Sequence, residues 1–295
     1  MKQIKQKSTR QTFKVVNIYK NKEDQLNEFI SIKNSFLSIL KNSTIIFDNF
    51  PIQIYENVKK NIIFYKKVKK LDKNSDEIRV IELLNKLILN KSLYCSPFVF
   101  KMETENDKLI TFGEYISFNF YQIITEYPIN TYNSVSDIVD IIKAVLIYIL
   151  ELRKYDIYHN DLHIKNIMVN EIKDSSFQTT IIDWEFSTIG INEYNIKKFY
   201  KNYFPIYYLM YIDNIKFLTK TIDYFDIYKF MKSLEYLLSL NLYSYIIPIY
   251  EIIKKYSSIL KKILLFEIKI PLKTIITDII ELLTQELYFI KITKL

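Results

Sequence analysis

The chain of 295 residues is poor in glycine, with only Gly113 and Gly190. Average usage is about 7%. Two glycines cannot build a glycine-rich phosphate loop of the P-loop or dinucleotide-binding type. Cysteine is represented by Cys95 alone, so neither a disulfide framework nor a cysteine-based zinc site can form within the chain. A lone cysteine fits a reducing compartment. Long apolar runs are missing too. The longest charge-free stretch, Tyr236 to Tyr250, contains Asn241 and Pro248, whereas a spanning helix needs about 20 apolar residues. The start, MKQIKQKSTRQ, lacks the apolar stretch of a signal peptide. A soluble intracellular protein is the expectation. There is no internal repeat and no linker rich in Pro, Gly or Ser.

What is present is an ordinary globular composition, 49% hydrophobic and 25% charged, which excludes global disorder. The length suffices for one large domain or two small ones. The net charge of +8 sits almost wholly in residues 1–22, which carry seven basic residues and no acid. A solvated arm accounts for that segment, and contact with nucleic acid or an acidic partner is the sharper alternative.

Periodicity divides the remainder into two styles. STIIFDNF, PIQIYENV and NIIFYKKV, between residues 43 and 70, read as strands. Residues 75–90 read as a helix with Ser75 as N-cap and Ile78, Ile81, Leu84, Leu87 and Ile88 on one face. ISFNFYQIITEY, residues 116–127, reads as another strand. A long apolar helix runs from Ser136, followed by short strands around NIMVN and TTIIDWEF. From about residue 222 the chain is almost all helix-like. Strands first and helices later predict an α+β chain with a sheet-bearing lobe and a larger helical lobe.

The chemistry concentrates in Tyr158-His159-Asn160-Asp161-Leu162-His163-Ile164-Lys165-Asn166 and, beyond a hairpin, Ile181-Ile182-Asp183-Trp184-Glu185. A loop with Asp161 and Asn166 five residues apart can point both into one cleft. Asp183 would arrive from the neighbouring strand. Hard oxygen ligands of this kind suit magnesium. The pattern H-x-D-x-x-x-x-N followed by a metal-binding Asp resembles the protein-kinase-like fold, and D-L-H resembles haspin-like and large-DNA-virus Ser/Thr protein kinases.

That resemblance implies a two-lobed fold, with a basic arm at 1–22, a sheet-bearing lobe at 23–126 and a helical lobe at 127–295. It also implies an ATP- and magnesium-dependent phosphotransferase acting on a protein Ser/Thr hydroxyl. Asp161 would orient the hydroxyl and accept its proton, with no lysine or arginine locked onto it in the free protein. His159 would support the loop, Asn166 and Asp183 would bind metal, and His163 would lie near the phosphates. NIIFYKKVKK resembles the third strand, making Lys66, with Lys67 as alternative, the lysine for the α/β-phosphates. Glu77, or else Glu82, would pair with it. Ile123-Ile124-Thr125-Glu126-Tyr127 resembles the hinge, placing Glu126 and Tyr127 at the base. Asp226 would anchor the catalytic loop from a following helix. Departures are the missing glycine loop, Asn160 for the usual Arg, Trp184-Glu185 for Phe-Gly, and no A-P-E. H-N-D-L and I-D-W-E also fit a small-molecule kinase of the choline or aminoglycoside class. The missing glycines fit a pseudokinase used as a binding module.

Overall fold

The computed structural model describes residues 22–60, 62–71, 76–116, 118–126, 129–172, 176–211, 214–240 and 243–293. Nearly all of the basic arm, together with Ser75 and Tyr127, therefore lies outside the described residues. Among these residues no helix is long and apolar enough to cross a membrane.

The chain opens with α1 (Lys22–Lys41). β1 (Thr44–Asn49), β2 (Ile52–Asn57) and β3 (Ile62–Lys70) follow, then α2 (Glu77–Leu89), β4 (Val99–Glu105) and β5 (Lys108–Glu114). The five strands form one antiparallel sheet in the order β1-β2-β3-β5-β4. Side chains on a strand alternate between faces, and here the two faces have different partners. Phe64 and Phe112 on one face, with Phe98 and Phe100, pack under Phe29, Ile32 and Phe36 of α1. Phe29 stacks on Phe98 at 4.9 Å between ring centroids, and Phe36 meets Phe112 at 5.2 Å and Phe64 at 5.3 Å. The opposite face, with Tyr65, Lys67, Lys69 and Thr111, is the roof of a cleft.

α2 buries Val80, Ile81, Leu84, Leu87 and Ile88. The helix face expected from the sequence thus holds, with Val80 inside and Ile78 only half-buried. Asp76 occupies the N-cap position without a side-chain cap bond. It instead accepts from the Arg79 guanidinium (2.9 Å) and from the Ile189 backbone N–H (3.2 Å).

The second lobe comprises β6 (Phe118–Asn119), α3 (Phe120–Glu126), α4 (Tyr132–Arg153), β7 (Ile157–Tyr158), β8 (Ile167–Ile172), β9 (Ser176–Ile181), β10 (Thr188–Ile189), α5 (Glu193–Tyr203), α6 (Pro205–Tyr211), α7 (Ile215–Leu218), α8 (Phe225–Ser239), α9 (Ile247–Leu264) and α10 (Leu272–Thr293). α4 begins at a capping box in which Thr131 accepts from the Ser134 N–H and Ser134 Oγ accepts from the Thr131 N–H. It buries nine apolar residues, from Val135 to Leu152, and forms the spine of the main core with α8 and α9. The β8–β9 hairpin, joined by β6, lies at the top of this lobe and faces the cleft.

The strand expected at 116–127 is reduced to the two residues of β6, Phe118–Asn119. Residues 120–126 form α3, and the strand that reaches the second lobe is β5, ending at Glu114. The apolar, aromatic run of 116–127 reads equally as a strand or a short helix, and burial of Phe120 and Ile124 on the helical core decides for helix.

Candidate active site

Between the lobes lies a cleft of about 320 Å³. Its roof is Ile52, Tyr65, Lys67, Lys69 and Thr111, its back Glu77 and Ile81, and its floor Asn166, Met168, Ile182 and Asp183. Glu114, Tyr115 and Ile116 close it along the connection between lobes. The connection is therefore some ten residues earlier than Glu126. Glu126 ends α3, exposed and outside the cleft lining.

The register of β3 settles which lysines face the cleft. Lys67 pairs across to Thr111 and Tyr65 to Gly113, all on the cleft face. Lys66 falls on the other face. Its Nζ lies 5.9 Å from the centre of the Phe112 ring, under α1. The expectation for Lys66 is thus corrected: it lies outside the cleft, while Lys67, the alternative one position on, faces the cleft together with Lys69. A strand turns consecutive side chains to opposite faces, and the aromatic cluster beneath α1 fixes which face is which.

Lys67 Nζ lies 2.8 Å from Asp183 Oδ1. Burial raises the Asp183 carboxyl, but Lys67 outweighs it and the net shift is downward. Lys69, two residues on, pairs with Glu77 of α2 and reaches Glu185 at 3.7 Å. Glu77 is buried, and burial pushes its carboxyl up against the opposing pull of Lys69. Glu82 is exposed. Glu77 therefore lies in the cleft, paired with Lys69 instead of Lys66.

Tyr65 and Gly113 form a close contact. A Cβ on residue 113 would stand 2.7–2.8 Å from the far edge of the Tyr65 ring. The glycine is needed there for space. The Tyr65 ring in turn occupies part of the cleft roof, and burial raises its phenol.

The loop between β7 and β8 is held from below by one buried carboxylate. Asp226, near the start of α8, accepts from the His159 N–H (2.9 Å), the Asn160 N–H (2.8 Å) and the Arg153 guanidinium (2.8 Å). Burial opposes its charge, but Arg153, His159 and these bonds outweigh that and keep the carboxyl below its ordinary value. Asn160 adopts a left-handed backbone at φ 61°, a conformation that Asn tolerates better than most residues.

His159 is fully buried. Its Nε2 lies 2.8 Å from the Ile182 carbonyl, and its Nδ1 is 3.3 Å from the Asp161 N–H. A carbonyl can only accept and an N–H only donate, so the proton belongs on Nε2. Burial lowers the imidazole's affinity for a second proton, and the neutral ring ties the loop to the strand leading into Asp183.

Asn166 is buried, and its Nδ2 donates to the Asp161 carbonyl at 3.0 Å. Asp183 sits at φ 64°, ψ 61°, left-handed, and strained backbone of this kind persists only where the surroundings hold it. The Ile182 N–H bonds to the Asn166 carbonyl (2.9 Å), fastening the two segments together.

Asp161 is half-buried. It is not free of basic groups, contrary to expectation: Lys229 of α8 lies 2.9 Å from Oδ1 and also donates to the Asn160 carbonyl at 2.6 Å. His163 Nε2 lies 3.7 Å from Oδ2. Burial alone would raise the Asp161 carboxyl, yet His163 and Lys229 together hold it far below the carboxylate range.

No glycine loop covers the cleft. β1 and β2 are joined through Phe50-Pro51, and the Pro51 carbonyl accepts from the Val68 N–H at 2.9 Å, tying the hairpin tip to β3. Sequence reading missed Lys69, Lys229, the Tyr65–Gly113 contact and the Glu114–Ile116 connection. The glycine at 113, rare in this chain, was the one available signal for the third.

Five antiparallel strands with a buried-glutamate helix, one interlobe connection, a loop anchored from a later helix and a hairpin leading to Asp183 define a two-lobed protein-kinase-like fold. No family model and no curated protein matches the chain. Among solved structures, it is similar to a chain of the yeast RNA Pol II CTD kinase CTDK-1 complex, with 15% identity and a TM-score of 0.38 over 51% of this chain and 47% of that one. It is also similar to the Cydia pomonella granulovirus kinase PK-1, with 18% identity and a TM-score of 0.41 over 54% of this chain and 59% of that one. The chain thus matches only about half the length of these two structures.

Proposed function

We propose that the protein is an ATP- and magnesium-dependent phosphotransferase acting as a Ser/Thr protein kinase. The observation that carries this reading is the convergence of Asn166, Asp183 and Lys67 on one cleft, with Asp161 on the same loop as Asn166. Among the described residues no group of three or more His, Cys, Asp or Glu side chains could hold a metal alone. Asp183 and the Asn166 amide oxygen instead suit magnesium that arrives with nucleotide phosphates, since this ion usually takes one or two protein ligands. When bound, the metal would neutralise phosphate charge.

The backbone of Glu114–Ile116 would hold the base, beneath Tyr65. Lys67 would exchange its contact with Asp183 for a phosphate oxygen, and the Lys69–Glu77 pair would fix β3 against α2. His159 keeps the loop in register. Asp161 would orient the acceptor hydroxyl and take its proton as the oxygen bonds to the γ-phosphorus. The bond to the β-bridging oxygen breaks, and ADP leaves with the electron pair. His163 would lie on the phosphate side of Asp161.

The hairpin tip tied to β3 and the Lys229–Asp161 contact favour a second reading, a nucleotide-binding pseudokinase. One experiment separates them. Trp184, the single tryptophan, is buried beside Asp183 in the cleft lining, so its emission reports nucleotide binding. Mg-ATP should change it, Asp183→Asn should remove the magnesium dependence, and wild type should transfer labelled phosphate to a Ser/Thr protein or peptide. Binding without transfer to any acceptor would leave the pseudokinase.

A further inference from the structure

Beside Asp161, on the side away from the nucleotide cleft, lies a second cavity of about 130 Å³. It is bounded by the catalytic-type loop, by Phe186 beyond Asp183, by α5 and by α8. A space of this size takes one benzene-sized group, so it can hold a side chain but not a whole sugar or nucleoside. Its outer rim is exposed, through Lys198, Asn202 and Tyr203 of α5, so an extended chain could pass along the opening.

The charge of this cavity is one-sided. Among the described residues its only carboxylate is Asp161, and that is matched by Lys229 at 2.9 Å. Lys198 remains as the cation without a carboxylate partner among the described residues, its Nζ held 3.7 Å from the centre of the Phe186 ring. The ring fixes the ammonium at the mouth. Residues 195–203 of α5 carry Lys197, Lys198 and Lys201 and no acid. A basic residue entering here would meet like charge, while a carboxylate would find Lys198 and amide donors such as Asn202.

We propose that this cavity seats an acidic side chain next to the acceptor hydroxyl, so that the substrate is an acidic peptide. The inference rests on the phosphotransferase reading and specifies its acceptor. The transferred γ-phosphoryl group bonds to the Ser or Thr oxygen, whose proton goes to Asp161, and ADP is released. Asp or Glu beside that residue is bound by Lys198 and takes no part in bond making.

The test uses the full chain with Mg-ATP and a set of alanine-based peptides. Each contains one serine, with aspartate, alanine or lysine at each of the three positions on either side. Transfer is read by label incorporation, and binding of the fluorescent forms by anisotropy. Aspartate at one or two of these positions should raise kcat/KM at least tenfold over alanine, and lysine there should lower it. K198E should reverse that order, whereas K232A, on the exposed face of α8, should leave it intact. Equal rates across the set, or a preference untouched by K198E, would overturn the proposal while leaving the kinase reading standing. Lys198-dependent binding of acidic peptides without any transfer would overturn the kinase reading and uphold the acidic site. Glycerol and a phosphorylated polyol are offered as acceptors in parallel, and transfer to either of them but to none of the peptides would overturn the peptide assignment.

Discussion

Asp226→Ala removes the acceptor on which three donors converge. The carboxylate is 1% exposed and the His159 residue fully buried, so water cannot simply replace the lost oxygen atoms. Two backbone N–H groups lose their acceptor, and the Arg153 guanidinium loses its buried carboxylate while keeping the Ile157 carbonyl and Asp223. An unsatisfied buried donor costs about 1–3 kcal/mol, and breaking a buried ion pair costs about 3–5 kcal/mol. These terms overlap because all three donors share one carboxylate, so we expect a net loss of about 3–5 kcal/mol. For a chain of this size that corresponds to a fall in Tm of roughly 6–20 °C. Asp226→Asn keeps one acceptor oxygen but faces another donor with its own N–H₂, and should recover only part of the loss. The carboxyl lies below its ordinary value in the folded protein. Its contribution is therefore complete above the unfolded value near about 4 and is lost as pH falls through the folded value. The gap between wild type and Asp226→Ala should narrow on acidification below that point. Urea denaturation followed by circular dichroism at pH 7 and below 4 measures both effects, and amide hydrogen exchange at His159 and Asn160 localises them. A variant within about 1 kcal/mol of wild type at pH 7, or one whose two amides stay protected, would refute the anchoring role.

Further outcomes follow from individual contacts. Gly113→Ala forces a Cβ against the Tyr65 ring. It should cost about 1–3 kcal/mol of stability and weaken nucleotide binding, with most of both losses relieved in a Tyr65→Ala background. Additive penalties in that double-mutant cycle would show that the contact is not the cause. His159 is buried neutral, so the folded state resists a proton that the unfolded imidazole accepts. Stability should decline as pH falls below about 6.5, and His159→Gln should flatten that portion of the curve; an unchanged slope would contradict a buried neutral imidazole. Lys229→Met removes the cation nearest Asp161. The acidic limb of kcat/KM should shift to higher pH, since the Asp161 carboxyl loses one of the two groups holding it down, and an unmoved limb would assign the shift to His163 alone.

Some of this site is legible in the sequence and some is not, for identifiable reasons. His159, Asp161, Asn166 and Asp183 lie on one loop and one hairpin, so their spacing carries their geometry. α1 was legible in principle, because Leu26, Phe29, Ile32, Phe36 and Ile39 recur at helical spacing and are all buried. β3 was legible as a strand but not in register. KKVKK places lysines on both faces, and only the phenylalanines beneath α1 decide which lysines enter the cleft. β4 and β5 were overlooked although Asn106-Asp107, both at positive φ, form the two-residue turn that joins them as a hairpin. The Lys229 contact spans 68 residues of sequence and depends on how α8 packs beneath the loop, which no local pattern encodes.

The central claim is that Asp161 acts on an acceptor hydroxyl in a nucleotide-binding cleft, and single-turnover phosphotransfer by wild type and Asp161→Asn tests it most directly. Both proteins, saturated with Mg-ATP and followed by Trp184 emission, should bind nucleotide with similar affinity, because Asn166, Asp183 and Lys67 are retained. Transfer should fall in the variant by a factor of about 10² to 10⁴, the usual worth of a positioned acid–base group. Equal transfer by the two proteins, or nucleotide binding with no transfer by either, would contradict the account.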